Sequence, residues 1–256
     1  MWSPETIAPE TLAMMLAIFV LAGTVKGVVG LGLPTVSLAL FTVTLGLQEA
    51  MVLMLAPSFV TNLWQGLAGS ALAGILARLW HFLLIGFACT FVTVKFLGHL
   101  LEPGDSNLLT ALLGLTLLAY AAFGLVSRRL PSPGRKERWF SPIVAAITGT
   151  LAGLTGSFTV PAVPYFQSMG LPRDTLVQAM GVWFTVATVA IAVALQEQRM
   201  LSLDQAGLSA LGILPALLGM TLGRKFRHTL SEAAFRKVFF AALGALGVYI
   251  ILRSLV

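Results

Sequence analysis

Charge is what this chain has least of. Asp, Glu, Lys and Arg make up 10% of its 256 residues, against roughly 25% in an ordinary soluble domain, and that shortage excludes a water-soluble fold. Acids are scarcer than bases, 10 against 16. Ten of the sixteen bases fall in two short segments between apolar runs, so the excess marks membrane topology rather than a nucleic-acid partner. Cysteine occurs once, as Cys89 inside an apolar run, which rules out an intrachain disulfide and leaves a packing thiol. The first ten residues hold two acids and no Lys or Arg. A cleaved signal peptide starts basic, so the first apolar run is expected to stay in the protein. Nothing in the chain matches G-x-S-x-G, a Walker loop, H-E-x-x-H or C-x-x-C, and His81, His99 and His228 are scattered. An enzyme, a metal centre and a bound cofactor are accordingly not expected.

What the chain has instead is hydrophobicity, 57% of its residues, in runs that approach or exceed the ~20 residues of a spanning helix. None alternates with period two as a barrel strand does. The reading is an all-α, polytopic integral membrane protein, a single transmembrane domain over residues 1–256. Apolar runs cover 11–29, 34–45, 50–73, 79–101 and 107–126. After a basic stretch at 128–139 they resume at 141–156, 159–169, 175–195 and 205–223, and after a second basic stretch at 224–237 a last run reaches Leu252.

The halves read as copies. Gly23, Gly27 and Gly30 recur as Gly149, Gly153 and Gly156, each 126 positions later, and a proline follows each set, Pro34 and Pro161. Both sets lead into a short apolar segment, a Gly-Leu turn (Gly46-Leu47, Gly170-Leu171) and a full-length run. The expectation is repeat one over 8–127, a cytoplasmic linker over 128–140 and repeat two over 141–256. Charge sets their relative sense. Arg128, Arg129, Arg135, Lys136 and Arg138 mark one cytoplasmic loop, and Arg224, Lys225, Arg227, Arg236 and Lys237 another, so an even number of crossings separates them. The number is even only if 141–169 turns back on itself at 156–161. Each half is then a broken helical hairpin followed by three spanning helices, and the second copy is inverted. Both termini fall outside with Glu102 and Asp105, and Arg78 falls inside. Arg253 near the C-terminus runs against this assignment.

The glycine-proline breaks are the strongest functional signal, because an unpaired amide in hydrocarbon is costly and survives only where protein or a polar cavity satisfies it. Short helices starting near 32–35 and 157–159 would point free amides and positive helix ends at an anion. Close helix packing at the glycines is the alternative. Lys26, in the first break, either attracts an anion or snorkels to the interface. Lys95 and His99, spaced i, i+4 near an outer helix end, are read as snorkelling. Ser58, Thr61, Asn62 and Gln65 fall at i, i+3, i+4 and i+7, a polar stripe that lines a cavity or bonds another helix. Gln178, Thr185 and Thr188 are the polar residues of the second copy, and Trp64 and Trp183 lie beside the stripes. Arg173 and Asp174 are placed at the interface, with a cytoplasmic gate pair as the second reading.

The segment Gly27-Val28-Val29-Gly30-Leu31-Gly32-Leu33-Pro34 with Asn62 downstream, and Gly149-Thr150-Leu151-Ala152-Gly153-Leu154-Thr155-Gly156 with Pro161, resemble the TauE/SafE family of sulfite exporters. This is also called the toluenesulfonate uptake permease family, and the resemblance covers almost the whole chain. It implies a multi-pass carrier of the bacterial inner membrane for sulfite, sulfonates or related sulfur-containing anions, and it admits a coupling proton and a homodimer. Ser157-Phe158 stands where the first copy has Gly32, so the two breaks cannot cradle a ligand symmetrically. The expected protein is a secondary transporter holding a small anion between the breaks. Amides near Gly32 and Ser157 would hold the anionic head, in turns shaped by Gly30, Pro34, Gly156 and Pro161. Hydroxyls of Ser157 and Thr159 would add donors, Asn62 and Gln178 would set orientation, and Lys26 would supply charge. An anion channel is the alternative, and a non-transporting membrane assembly subunit has less support.

Overall fold

A chain in hydrocarbon must satisfy its own backbone, and the apolar runs do so as helices. The computed structural model describes residues 7–101, 106–126, 130–226 and 231–255. Glu102, Asp105, Arg128, Arg129, Arg227 and His228 lie outside the described residues. The helices are α1 (Pro9–Val29), α2 (Leu33–Leu45), α3 (Leu47–Leu53), α4 (Leu55–Leu67), α5 (Leu72–Leu97), α6 (Asn107–Val126), α7 (Glu137–Thr155), α8 (Ala162–Ser168), α9 (Arg173–Glu197), α10 (Leu203–Leu211), α11 (Ile213–Phe226) and α12 (Glu232–Ser254). No strand forms among the described residues. Among the described residues six spans are long and apolar enough to cross a bilayer: α1, α5, α6, α9, α10 with α11, and α12. α3 and α4, bent by 45°, are long and apolar enough only when taken together. The chain is a multi-pass membrane protein.

Several helix bounds differ from the apolar runs, each for a local reason. The run at 50–73 bends at Met54 because Pro57 has no N–H for the carbonyl of Leu53. Ser209 of α10 takes over there: its hydroxyl donates to Leu53 O at 2.7 Å and accepts from Ala56 N at 2.9 Å. In the second half Trp183 stands 126 positions after Pro57, and α9 runs unbroken for 25 residues. The run at 79–101 begins instead at Leu72. Arg78 sits in the second turn of α5, where its guanidinium makes a two-pronged bond to Glu137, at 2.7 and 2.6 Å. α7 therefore starts at Glu137, inside the stretch expected as linker. α8 starts at Ala162 rather than at 157–159, because a residue preceding proline, here Val160 before Pro161, is disfavoured in the helical region. Arg253 also finds its explanation. It donates to the carbonyl of Val43 in the last turn of α2, the negative end of a helix with unpaired carbonyls.

Packing divides the repeated glycines into two kinds. α1 lies on α11, α5 on α7, α4 on α9 and α6 on α12. A Cβ on Gly23 or Gly27 would collide with the backbone of Ala216 or Met220 in α11, and one on Gly219 or Gly223 with that of Val20 or Thr24 in α1. Gly149 and Gly153 meet Gly86, Cys89, Thr90 and Thr93 of α5 in the same way. These are small-residue contacts that bring two backbones together. The third member of each triplet acts differently. Gly30 and Gly156 take left-handed φ of 84° and 70° and end their helices, a conformation that only glycine adopts without strain.

Candidate functional site

The C-terminal turn of α1, the α4–α5 turn, the start of α9 and the end of α11 meet around a cavity of about 450 Å³. The end of α11 carries Arg224 and Lys225, in the second of the two basic stretches on which the expected cytoplasmic side rests.

At its inner end lies Lys26, which does not snorkel. Only 3% of its surface is exposed, and its Nζ donates to Thr61 Oγ1 at 3.2 Å and to Asn62 Oδ1. Both acceptors belong to the polar stripe of α4 and are fully buried. Thr61 passes its own hydrogen to Pro57 O at 2.7 Å. Asn62 Nδ2 and Ser58 Oγ, also buried, have no partner. No carboxylate forms an ion pair with Lys26 among the described residues. A lysine amine and an amide with an unused N–H thus meet at the cavity's inner end with no carboxylate beside them, an arrangement that suits an anion.

Gln178 does something else. Its Oε1 accepts from Ala71 N at 3.1 Å and its Nε2 donates to Gly66 O and Gly69 O, both at 2.9 Å. Gln65 answers from the other side, donating to Val177 O at 2.7 Å. The two glutamines clamp α4 and its following turn onto α9. They hold the cavity wall, and Gln178 has its principal bonds already made.

The cavity gathers Lys26, Gly30 and Gln178, with Asn62 bonded behind Lys26. Gly32, Pro34, Gly156, Ser157, Thr159 and Pro161 do not line it. Gly30 faces Val177 of α9, whereas Gly156 faces Leu38 of α2 and Met51 of α3. Each turn is thus seated on the opposite half of the chain rather than on the other turn. Among the described residues the amides of Leu31, Gly32, Leu33 and Thr35 form no hydrogen bond, nor do those of Phe158, Thr159, Val160 and Ala162. In the second break Ser157 N donates to Thr155 Oγ1, and the hydroxyls of Ser157 and Thr159 bond each other, both at 3.2 Å. Trp183 is fully buried and donates to Phe158 O at 2.9 Å. It stacks edge-on to Phe82 at 5.0 Å. Trp64 stands largely exposed at the cavity's edge.

Asp174 and Arg224 add charge to the wall; the sequence reading places Asp174 at the interface, with a gate pair as the second reading, and counts Arg224 toward topology. A signal that finds Arg224 is the pair Gly219 and Gly223, which matches Gly23 and Gly27 in spacing and marks a close helix contact that carries the next residue onto the cavity shared with Lys26. Lys95, by contrast, is half-exposed. It pairs with Glu197 at 3.5 Å and lies 5.6 Å from the ring of Phe91.

A family model described as sulfite exporter TauE/SafE matches residues 15–250. Comparison with curated proteins and with solved structures gives no match.

Proposed function

The chain belongs to the TauE/SafE sulfite exporter family, and from that membership and the cavity at Lys26 we propose a secondary transporter of the bacterial inner membrane that moves sulfite or a related sulfonate. The observation that carries the proposal is a buried lysine amine with neutral partners only, reached from one side of the protein. The anion's oxygens would take the remaining hydrogen of Lys26 Nζ, one from Asn62 Nδ2 and the hydroxyl of Ser58. Charge-assisted bonds of this kind are the stronger sort, and burial raises their worth.

A one-sided cavity favours a carrier over a channel. The inverted repeat supplies the means of switching sides, and the helix pairing supports it. A shift of 126 carries α1 onto α7 and α5 onto α10 with α11, so the α1–α11 and α5–α7 contacts are counterparts. The same shift carries α6 onto α12 and α3 with α4 onto α9, each packed on its own counterpart. On this reading the unpaired amides of the second break, with Ser157 and Thr159, serve the anion when the protein opens outward. Glycine hinges at Gly30 and Gly156 accompany the change.

The test is flux into proteoliposomes, screened over sulfite, thiosulfate and short organosulfonates. Saturable uptake with counterflow is the expected result. Flux linear in concentration would indicate a channel, and no flux of any of these anions would overturn the proposal.

A further inference from the structure

Lys26 poses a problem in its empty site. An ammonium withdrawn from water is stable only against a counter-charge, and none of the groups bonded to it carries one. α4 supplies Thr61 and Asn62. Asp174 of α9 and Arg224 of α11 share the cavity and are of opposite sign, but neither pairs with Lys26 among the described residues. Arg173 stands beside Asp174 at the start of α9, and Lys225 follows Arg224. Of the remaining charges, Glu10 lies at the far end of α1, while Arg236 and Lys237 sit early in α12, with Arg236 on a different cavity. α2 contributes no charge.

The residue bonded to Lys26 is an asparagine, not an aspartate, and that choice matters. An amide offers its carbonyl oxygen to an ammonium and, turned over, its N–H to the lone pair of a neutral amine. Asn62 is therefore matched to either protonation state, where a carboxylate would fix the charged one. Its unpartnered Nδ2 and the unpartnered Ser58 hydroxyl complete the set of donors an anion would meet.

Resting on the transporter reading above, we propose that the anion and a proton bind this site together. The empty site holds Lys26 as the neutral amine; on loading, one proton from cavity water adds to Nζ, giving an ammonium paired with the anion. For a monoanion the loaded site is neutral, and a carrier crossing in that state moves no net charge. Linkage makes the coupling reciprocal: the anion raises the site's affinity for the proton, and the proton raises it for the anion.

Isothermal titration of the purified full chain with methanesulfonate and with toluenesulfonate, neither of which protonates near neutral pH, tests this in two buffers of different ionisation enthalpy. The expected result is uptake of about one proton per anion, with affinity falling about tenfold per pH unit on the alkaline side. Lys26→Arg, whose guanidinium does not give up its proton, should exchange no proton at whatever affinity it retains. Wild-type binding without proton exchange, or uptake persisting in K26R, would overturn the proposal while leaving the anion site intact. If K26R does not fold, the wild-type buffer pair and pH series decide alone. Wild-type protein that binds neither sulfonate, and transports none, would remove the transporter reading and this inference with it.

Discussion

Lys26 and Asn62 stand 36 positions apart in the chain, yet Nζ of one donates to Oδ1 of the other in a spot almost closed to solvent. That bond fastens the end of α1 to the middle of α4. It also presents the lysine amine and the amide side by side, with the Nδ2 hydrogens of Asn62 left over.

Asn62→Asp should fold and fail to bind. A carboxylate placed against Lys26 supplies the missing counter-charge and competes with the substrate for it. Thermal unfolding should rise or stay level, while sulfonate no longer stabilises the protein. Asn62→Leu removes the acceptor and should lower both stability, by about 1–3 kcal/mol, and flux.

Gln178→Leu strips three hydrogen bonds from the α9 clamp on residues 66–71. Loss of buried partners of this type costs about 1–3 kcal/mol. The melting temperature should fall and the cavity wall loosen, with a higher KM. Gln178→Glu, which sets a carboxylate oxygen against the carbonyls of Gly66 and Gly69, should lose at least as much stability as leucine.

The two kinds of glycine should respond differently. Gly27→Ala forces a methyl group against the carbonyl of Met220, an overpacking cost of about 1–3 kcal/mol. Gly30→Ala meets nothing nearer than Val177 at 3.7 Å, so its penalty, about 1–2 kcal/mol, is conformational. Asparagine tolerates the left-handed region better than alanine. Gly30→Asn should recover part of the loss and Gly27→Asn none, as read from thermal unfolding in detergent.

Orientation is open to a labelling test in a Cys89→Ser background. Ser70, exposed beside the cavity mouth, should as Ser70→Cys react with an impermeant maleimide only from the cytoplasmic face. Gln196, exposed at the far end of α9, should as Gln196→Cys react only from the outside. Labelling of both from one face would contradict the topology.

Much of this architecture is legible in the sequence because hydrocarbon leaves the backbone few choices. Apolar length marks the spans, and glycine with proline marks the turns at 30–34 and 156–161. Side-chain bookkeeping across distant segments is another matter. The bend at Met54 has Pro57 as a local cause, but its satisfaction by Ser209 depends on a helix some 150 residues away. The stripe of Ser58, Thr61 and Asn62 was visible as one face, whereas its meeting with Lys26 depends on how α1 and α4 cross. Gln178 looked like a ligand-orienting amide by composition. Its bonds to a turn in the other half are set by three-dimensional register, which single-chain periodicity does not carry. The glycine triplets likewise show one spacing but two physical roles, separable only once the neighbour of each Cα is known.

Equilibrium binding of radiolabelled toluenesulfonate to purified wild type and to Lys26→Met tests the central claim most directly. Replacing a buried amine that has no counter-charge by an apolar side chain of similar length removes a group that is costly to withdraw from water, so the variant should unfold at the same or a higher temperature. The account predicts saturable binding by wild type and at least a hundredfold weaker binding, about 2.7 kcal/mol or more, by K26M. A folded K26M that binds the sulfonate as tightly as wild type would contradict it.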